Sequence, residues 1–241
     1  GQVNALAFVS LVYLARGEID RALEVIQAFI PGAQKVGHPG HILGWFYLNW
    51  LYSELGALNE ARHAAQQGLQ ASKSFLPFRP VSLAIAAREH ISRGELETAA
   101  ELLVEAGRTE SRKTLQIIDL MVDFVTVELM LAKEDYEQTD EDMGMLLDKL
   151  QKSGNRYLLP SALYLQSRLR REQGAIAQAR ESLEMACTIA EQAGSRLFAW
   201  QYMAELGEYE GAQQIVEFIA AHISDPELRH TFRGYAKLKL G

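Results

Sequence analysis

Histidines, a single cysteine and clustered carboxylates are the side chains of this sequence that could do chemistry. Six histidines occur, His38, His41, His63, His90, His222 and His230. His38 and His41 stand three apart in His-Pro-Gly-His, and a loop with that spacing could grip a metal. No cysteine or acid nearby completes a ligand set, so no metal is expected. His90 falls at a helix-packing place and is expected in the core. The acids Glu134, Asp135, Glu137, Asp140, Glu141 and Asp142 are dense enough to suggest calcium. An EF-hand loop needs alternating acids, a central glycine and a closing glutamate. Here Gly144 lies beyond the run and helical periodicity continues through it, so a solvated helix start is expected, its acids matched to the helix dipole. Cys187 follows Ala186 with no activating partner in view and is expected as a small buried residue. The sequence contains no nucleophile elbow, phosphate loop or dinucleotide fingerprint. The expectation is a chain that is not an enzyme, takes no cofactor and does not itself hydrolyse ATP. A Ser/His/Asp set assembled from distant positions is the arrangement that spacing leaves open.

Composition narrows the class further. The chain has 241 residues, of which 48% are hydrophobic and 23% charged, enough to bury a core. A formal net charge of −7 argues against a nucleic-acid partner, because phosphates are neutralised by clustered Lys and Arg. A single cysteine excludes an intrachain disulfide framework and suits a reducing, cytoplasmic setting. The most apolar stretch, His41 to Leu51, is about half of the ~20 residues a membrane span needs, and it carries Asn49. No signal peptide is visible. The opening Gly-Gln-Val suggests an excised piece of a longer protein, with Gly1 a cloning remnant.

The elements follow from a repeat. Glycines are followed five residues later by alanine at Gly17/Ala22, Gly56/Ala61, Gly94/Ala99, Gly174/Ala179 and Gly207/Ala212. Two residues after each glycine comes an apolar residue: Ile19, Leu58, Leu96, Ile176 and Tyr209. A degenerate copy fills the double gap, with Glu134 in the glycine place, Tyr136 in the apolar place and Thr139 in the alanine place. The steps between copies are then 39, 38, 40, 40 and 33 residues. A fixed period of this size signals a stacked array. Before each glycine runs one helical pattern, such as Trp45, Leu48, Asn49 and Tyr52, and after it a second, such as Ala99, Leu103 and Ala106. The glycine closes the first helix in a left-handed conformation. The alanine lets two helices approach closely. Each unit is a helical hairpin that buries its apolar stripe only by stacking on others.

Trp45, Leu48, Asn49, Tyr52, Gly56, Leu58 and Ala61 resemble the tetratricopeptide repeat, with Asn49 replacing its small residue. Val9, Ser10, Tyr13, Gly17, Ile19 and Ala22 follow the same pattern in the first copy. His90, Met130, Arg170 and Met203 stand where that family has a tyrosine. Steps near 39 resemble the long-repeat arrays in the C-terminal regulatory arms of bacterial signalling ATPases. Examples are activators of the maltose-regulon kind with LuxR-type DNA-binding domains, and ATPase-coupled adenylate cyclases. The resemblance implies an all-α, right-handed superhelical solenoid of about six hairpins stacked along a line as one domain. The copies span roughly 3–38, 41–76, 79–110, 112–153, 156–193 and 195–223. A closing helix over 225–233 is expected from Ser224 or Asp225 as N-cap, Pro226 in the first turn and Gly234 at the end. Phe75, Pro77 and Phe78 are expected to staple the third copy's start.

The resemblance also implies where a partner binds, since the first helices of such arrays line a concave groove. The family's groove-facing places carry over to Asn4 and Leu11, Phe46 and Trp50, Arg88, Phe124 and Glu128, Tyr164, Arg168 and Arg171, and Gln201. Phe46 and Trp50 share a face at i, i+4, and Tyr164, Arg168 and Arg171 form an i, i+4, i+7 row. Guanidinium forks suit carboxylate or phosphate, and aromatic faces suit peptide side chains or sugar rings. The bland alternative is that the aromatics pack between repeats while the arginines pair with acids such as Glu128. The implied function is non-catalytic: a protein-interaction or effector-sensing module in the regulatory arm of a larger bacterial signalling or transcription-regulating protein. Its partner would be a protein or peptide segment, or other domains of the same parent, with no direct contact to nucleic acid or membrane. Two rivals stand beside it. A small-molecule sensor for a sugar-like or anionic effector predicts a closed pocket near Trp50 and Arg168. A self-association module predicts an exposed apolar patch on the outer face or at a terminal repeat.

Overall fold

The computed structural model describes residues 2–108 and 116–241, and among these every regular element is helical. Six hairpins follow one another: α1 (Gln2–Arg16) with α2 (Ile19–Lys35), α3 (His41–Glu54) with α4 (Leu58–Ala71), α5 (Arg79–Ile91) with α6 (Leu96–Arg108), α7 (Gln116–Ala132) with α8 (Tyr136–Ser153), α9 (Leu159–Glu172) with α10 (Ile176–Gln192), and α11 (Arg196–Leu206) with α12 (Tyr209–Ala221). A last helix, α13, spans Pro226–Leu240. The fold is an all-α solenoid of helical hairpins. The end of the expected third copy and the start of the fourth lie outside the described residues, as do Gly1 and the side chain of Asn4.

One local device makes every hairpin. The repeat glycines Gly17, Gly56, Gly94, Gly174 and Gly207 all have positive φ, and Glu134 stands in the same region at φ 60°. The residue after each of them donates its N–H five residues back, to the carbonyls of Tyr13, Tyr52, His90, Met130, Arg170 and Met203. This closes the first helix with a left-handed cap. It also explains why the family's tyrosine place tolerates His, Met and Arg, since the turn needs that residue's carbonyl. The alanine of each copy is sealed, with Ala22, Ala61, Ala99, Thr139 and Ala212 at 0% exposure. The apolar place behaves differently. Ile19 is buried, but Leu58, Ile176 and Tyr209 are exposed, so that place belongs mainly to the surface of the turn. A left-handed conformation costs a non-glycine residue about 1–2 kcal/mol, partly offset by the chain entropy a glycine would lose on folding. Glu134→Gly is therefore expected to stabilise the protein by about 0.5–1 kcal/mol, read as a raised urea midpoint.

Two local expectations are corrected. Helix α13 runs through Gly234 to Leu240. Phe232 and Ala236, both buried, lie one turn apart on either side of Gly234, and their packing outweighs the roughly 1 kcal/mol helix penalty of glycine. Its N-cap is Asp225, which accepts from the N–H groups of Glu227 and Leu228. His90 is not a core residue but a half-exposed one beside Glu95 and Arg93. Pro77 and Phe78 lie in the second of two short 3₁₀ turns, Ser72–Ser74 and Leu76–Phe78, and Phe75 links the two.

The chain divides into two compact units. Unit 1 comprises the chain up to Gly68 together with Ala190–Gly241, and unit 2 is Leu69–Ile189. In unit 1 the first hairpin packs against the last, a departure from stacking between sequence neighbours alone. The Asp20 N–H donates to the carbonyl of His222 at 3.0 Å. The Asp20 carboxylate accepts from the backbone N–H of Ser224 at 2.8 Å and from its hydroxyl at 2.6 Å. Gly17 sits against Ile219, and Gly56 against Tyr235, with room for no side chain at either place. In unit 2, α5 packs on α6 and α7, and α7 on α8 and α9. Lys149 on α8 reaches Asp123 at 2.6 Å and Asp119 at 3.2 Å, both on α7. The hydrogen bond it donates to Asp123 leads in holding its ammonium above the usual lysine range.

Candidate binding surface

Unit 2 gathers most of the residues the sequence singles out, on the first helices of its hairpins. Arg88 lies in the last turn of α5, where a cation suits the helix dipole. Glu128 and Phe124 lie one turn apart on α7. The Arg88 Nε–H faces both carboxylate oxygens of Glu128 at 3.0 Å, and the guanidinium carbon is 6.0 Å from the Phe124 ring centroid. The acid and the arginine are mostly enclosed, and Phe124 is fully buried. Such a pair adds little net stability, because desolvation offsets its attraction, but it fixes how α5 and α7 register on one another. The alternative in which an arginine of this set pairs with Glu128 is therefore met at Arg88.

Helix α9 lies on the other side of α7 and carries three arginines with different fates. Arg170 turns toward α8, pairing with Asp140 at 2.9 Å and Gln173 at 2.8 Å. Tyr164 is half-buried, while Arg168 and Arg171 are exposed on the i, i+4, i+7 row that Tyr164 begins. Arg168 makes no ion pair or hydrogen bond among the described residues. A guanidinium in that state is open to a carboxylate or phosphate brought by a partner.

The residues of unit 1 fare otherwise. Phe46 and Trp50 are 6% and 2% exposed. Their rings meet at 5.3 Å, and Trp50 packs edge-on against Phe198 at 5.9 Å. With Phe124, these aromatics are closed over by packing and offer no open face to a ligand. The physical reason is area: a large apolar ring facing neighbouring helices gains more from burial than from standing in a wet groove. Burial also pushes the phenol of adjacent Tyr47 up to about 12. Gln201 is half-exposed and donates to Glu54 at 2.7 Å, and Leu11 is half-exposed.

Other polar groups serve the fold. Asn49 is buried and donates to the carbonyl of Ala61, the repeat alanine of its own hairpin, at 3.0 Å. That bond accounts for an amide in the family's small-residue place. The ring of His41 donates from Nδ1 to the carbonyl of His38, and the His38 Nδ1 accepts from the N–H of Gly40, so both rings brace the turn before α3. Among the described residues, no three His, Cys, Asp or Glu side chains come together as a metal set. Cys187 is buried. No described helix is long and apolar enough to cross a membrane. Sequence reasoning missed Glu54 and the Asp20–Ser224 pair, whose partners are too distant in the chain to leave a local pattern.

Taken together, these features define the class as a TPR-like helical-repeat protein. No family model matches the sequence, and no curated protein matches it. Among solved structures, the chain is similar to a Rap protein complexed with competence and sporulation factor, with a TM-score of 0.60 and 12% identity. The match covers 92% of this chain and 65% of that one, so the chain spans just under two thirds of the length of that protein. At this identity the likeness establishes the fold.

Proposed function

We propose that this chain is a non-catalytic recognition module that holds an extended, acidic segment of a partner protein along α5, α7 and α9 of unit 2. The observation that carries the reading is Arg168. In a chain of net charge −7, this arginine stands exposed and unpaired, in one row with Tyr164 and Arg171. Arg88 and Glu128, on α5 and α7, form a pair whose charges are already matched, which leaves the arginines of α9 to meet a partner. A Rap protein of the same fold was crystallised with competence and sporulation factor, which supports a docking role for this architecture. The repeat steps near 39 and the resemblance to regulatory arms support a larger bacterial signalling or transcription-regulating parent. In it, occupancy would bias how the arm packs, with a coupling of about 1–3 kcal/mol typical of such devices.

The test is to pan a displayed random dodecapeptide library on the purified chain and on the Arg168→Glu/Arg171→Glu variant. The wild type is expected to enrich acidic sequences, and the variant to bind those same peptides at least about tenfold more weakly, a loss of ~1.4 kcal/mol or more. Circular dichroism should be unchanged, because both arginines are exposed. Enrichment indifferent to the charge reversal would remove unit 2's arginine row from the function.

A further inference from the structure

One place in the repeat carries charge only in unit 2. Six residues before the turn residue stand Leu11, Trp50 and Gln201 in the copies of unit 1, and Arg88, Glu128 and Arg168 in the copies of unit 2. The first two charged residues show what the place does. In successive copies its side chains face one another, with the Arg88 Nε–H 3.0 Å from each Glu128 oxygen. The same step, taken from α7 to α9, makes Arg168 the next in the row, and those two helices pack together. Glu128 therefore stands between two arginines in register, and the structure pairs it with Arg88. Of the three acids on α7, Asp119 and Asp123 reach Lys149 on α8, and Glu128 turns toward α5. A bare carboxylate in its place would repel an acidic segment seated on Arg168. Across a helix spacing of about 8–10 Å, one unit charge changes the affinity for a carboxylate by about threefold at low salt.

We infer that Arg88 sets the charge specificity of the surface proposed above, on which this inference rests: it neutralises Glu128, so that an acidic segment lies against Arg168 without meeting a carboxylate. Arg88 is a positioning residue in this sense, acting on the ligand through Glu128. A mostly enclosed ion pair adds little net stability over apolar residues of the same size, so stability alone does not account for two charges here. The row also orders the ligand. Its matched stretch, over α5 and α7, offers nothing to an acid, and its unmatched cation lies on α9. The acids of the bound segment accordingly gather at the α9 end, and the part crossing α7 and α5 is uncharged.

Fluorescence anisotropy of a labelled hexaglutamate peptide, titrated with the full chain at low salt, tests this. Glu128→Gln, which leaves Arg88 charged, should tighten binding about threefold. Arg88→Gln, which leaves Glu128 bare, should weaken it about threefold, and both shifts should fade at high salt. The double variant, and Arg88→Lys with its charge kept, should return to within about twofold of the wild type. Damaged packing cannot imitate this pattern, because each single substitution to Gln strands one charge and would then weaken binding in both. Two such variants that shift the affinity in the same direction, or not at all, overturn the inference. Arg168→Glu reads the surface itself. Peptide binding that is absent, or indifferent to Arg168→Glu, overturns the surface and the inference together. Binding that needs Arg168 and ignores Arg88 and Glu128 overturns the inference alone.

Discussion

Trp50→Ala is expected to lower the free energy of unfolding by about 3–5 kcal/mol, the range for removing a large buried aromatic. The ring is 2% exposed and wedged between Phe46 and Phe198. Its loss leaves a cavity between helices that are held in place by their hairpin turns and collapse only partly to fill it. Urea denaturation should show a lower midpoint in unit 1 with helicity retained in native buffer. Arg168→Ala provides the contrast. It is exposed and unpaired, and its stability should change by no more than ~0.5 kcal/mol. A Trp50→Ala protein as stable as the wild type would mean the ring is not packed as described, and would return it to the set of candidate ligand contacts.

The second large effect separates two sources of strain at one type of turn. Gly56 and Gly174 have φ of 73° and 75°, so alanine at either carries the left-handed penalty of about 1–2 kcal/mol. Around Gly174 there is open space. At Gly56 an added Cβ would sit 2.7 Å from the Cβ and Cγ of Tyr235 on α13. Those atoms lie near the root of their side chain and cannot swing away, so crowding adds about 1–3 kcal/mol. Gly56→Ala should therefore destabilise by about 2–5 kcal/mol and Gly174→Ala by about 1–2 kcal/mol. Denaturation curves of the two variants decide it. Equal losses would mean that α13 does not rest on the turn between α3 and α4. Trp200, which packs edge-on against Tyr235 at 6.1 Å, gives a fluorescence reading of the same seat.

The hairpin register was legible because its causes are local. A left-handed cap and a small residue five positions later leave a mark within one stretch of chain, and the mark survived even where Glu134 replaced glycine. The same logic offered Asp225 as a candidate cap, whereas the places of Arg88, Phe124 and Glu128 came from the family resemblance and not from local spacing. It misread Gly234, because a local stop signal lost to Phe232 and Ala236 packing on either side of it. It could not assign Phe46 and Trp50 to the core, because i, i+4 spacing says that two rings share a face and nothing about what lies opposite.

By itself, then, the amino-acid order determined helices, hairpins, their number and their turns, all set by interactions between residues a few positions apart. Tertiary structure alone decided which aromatics close over, that Arg88 spends its charge on Glu128 while Arg168 keeps its own, and that Asp20 meets Ser224. Those outcomes rest on contacts between residues from 40 to 204 positions apart. Such contacts are chosen by how much surface each arrangement removes from water across a whole unit, a quantity no short stretch of sequence contains.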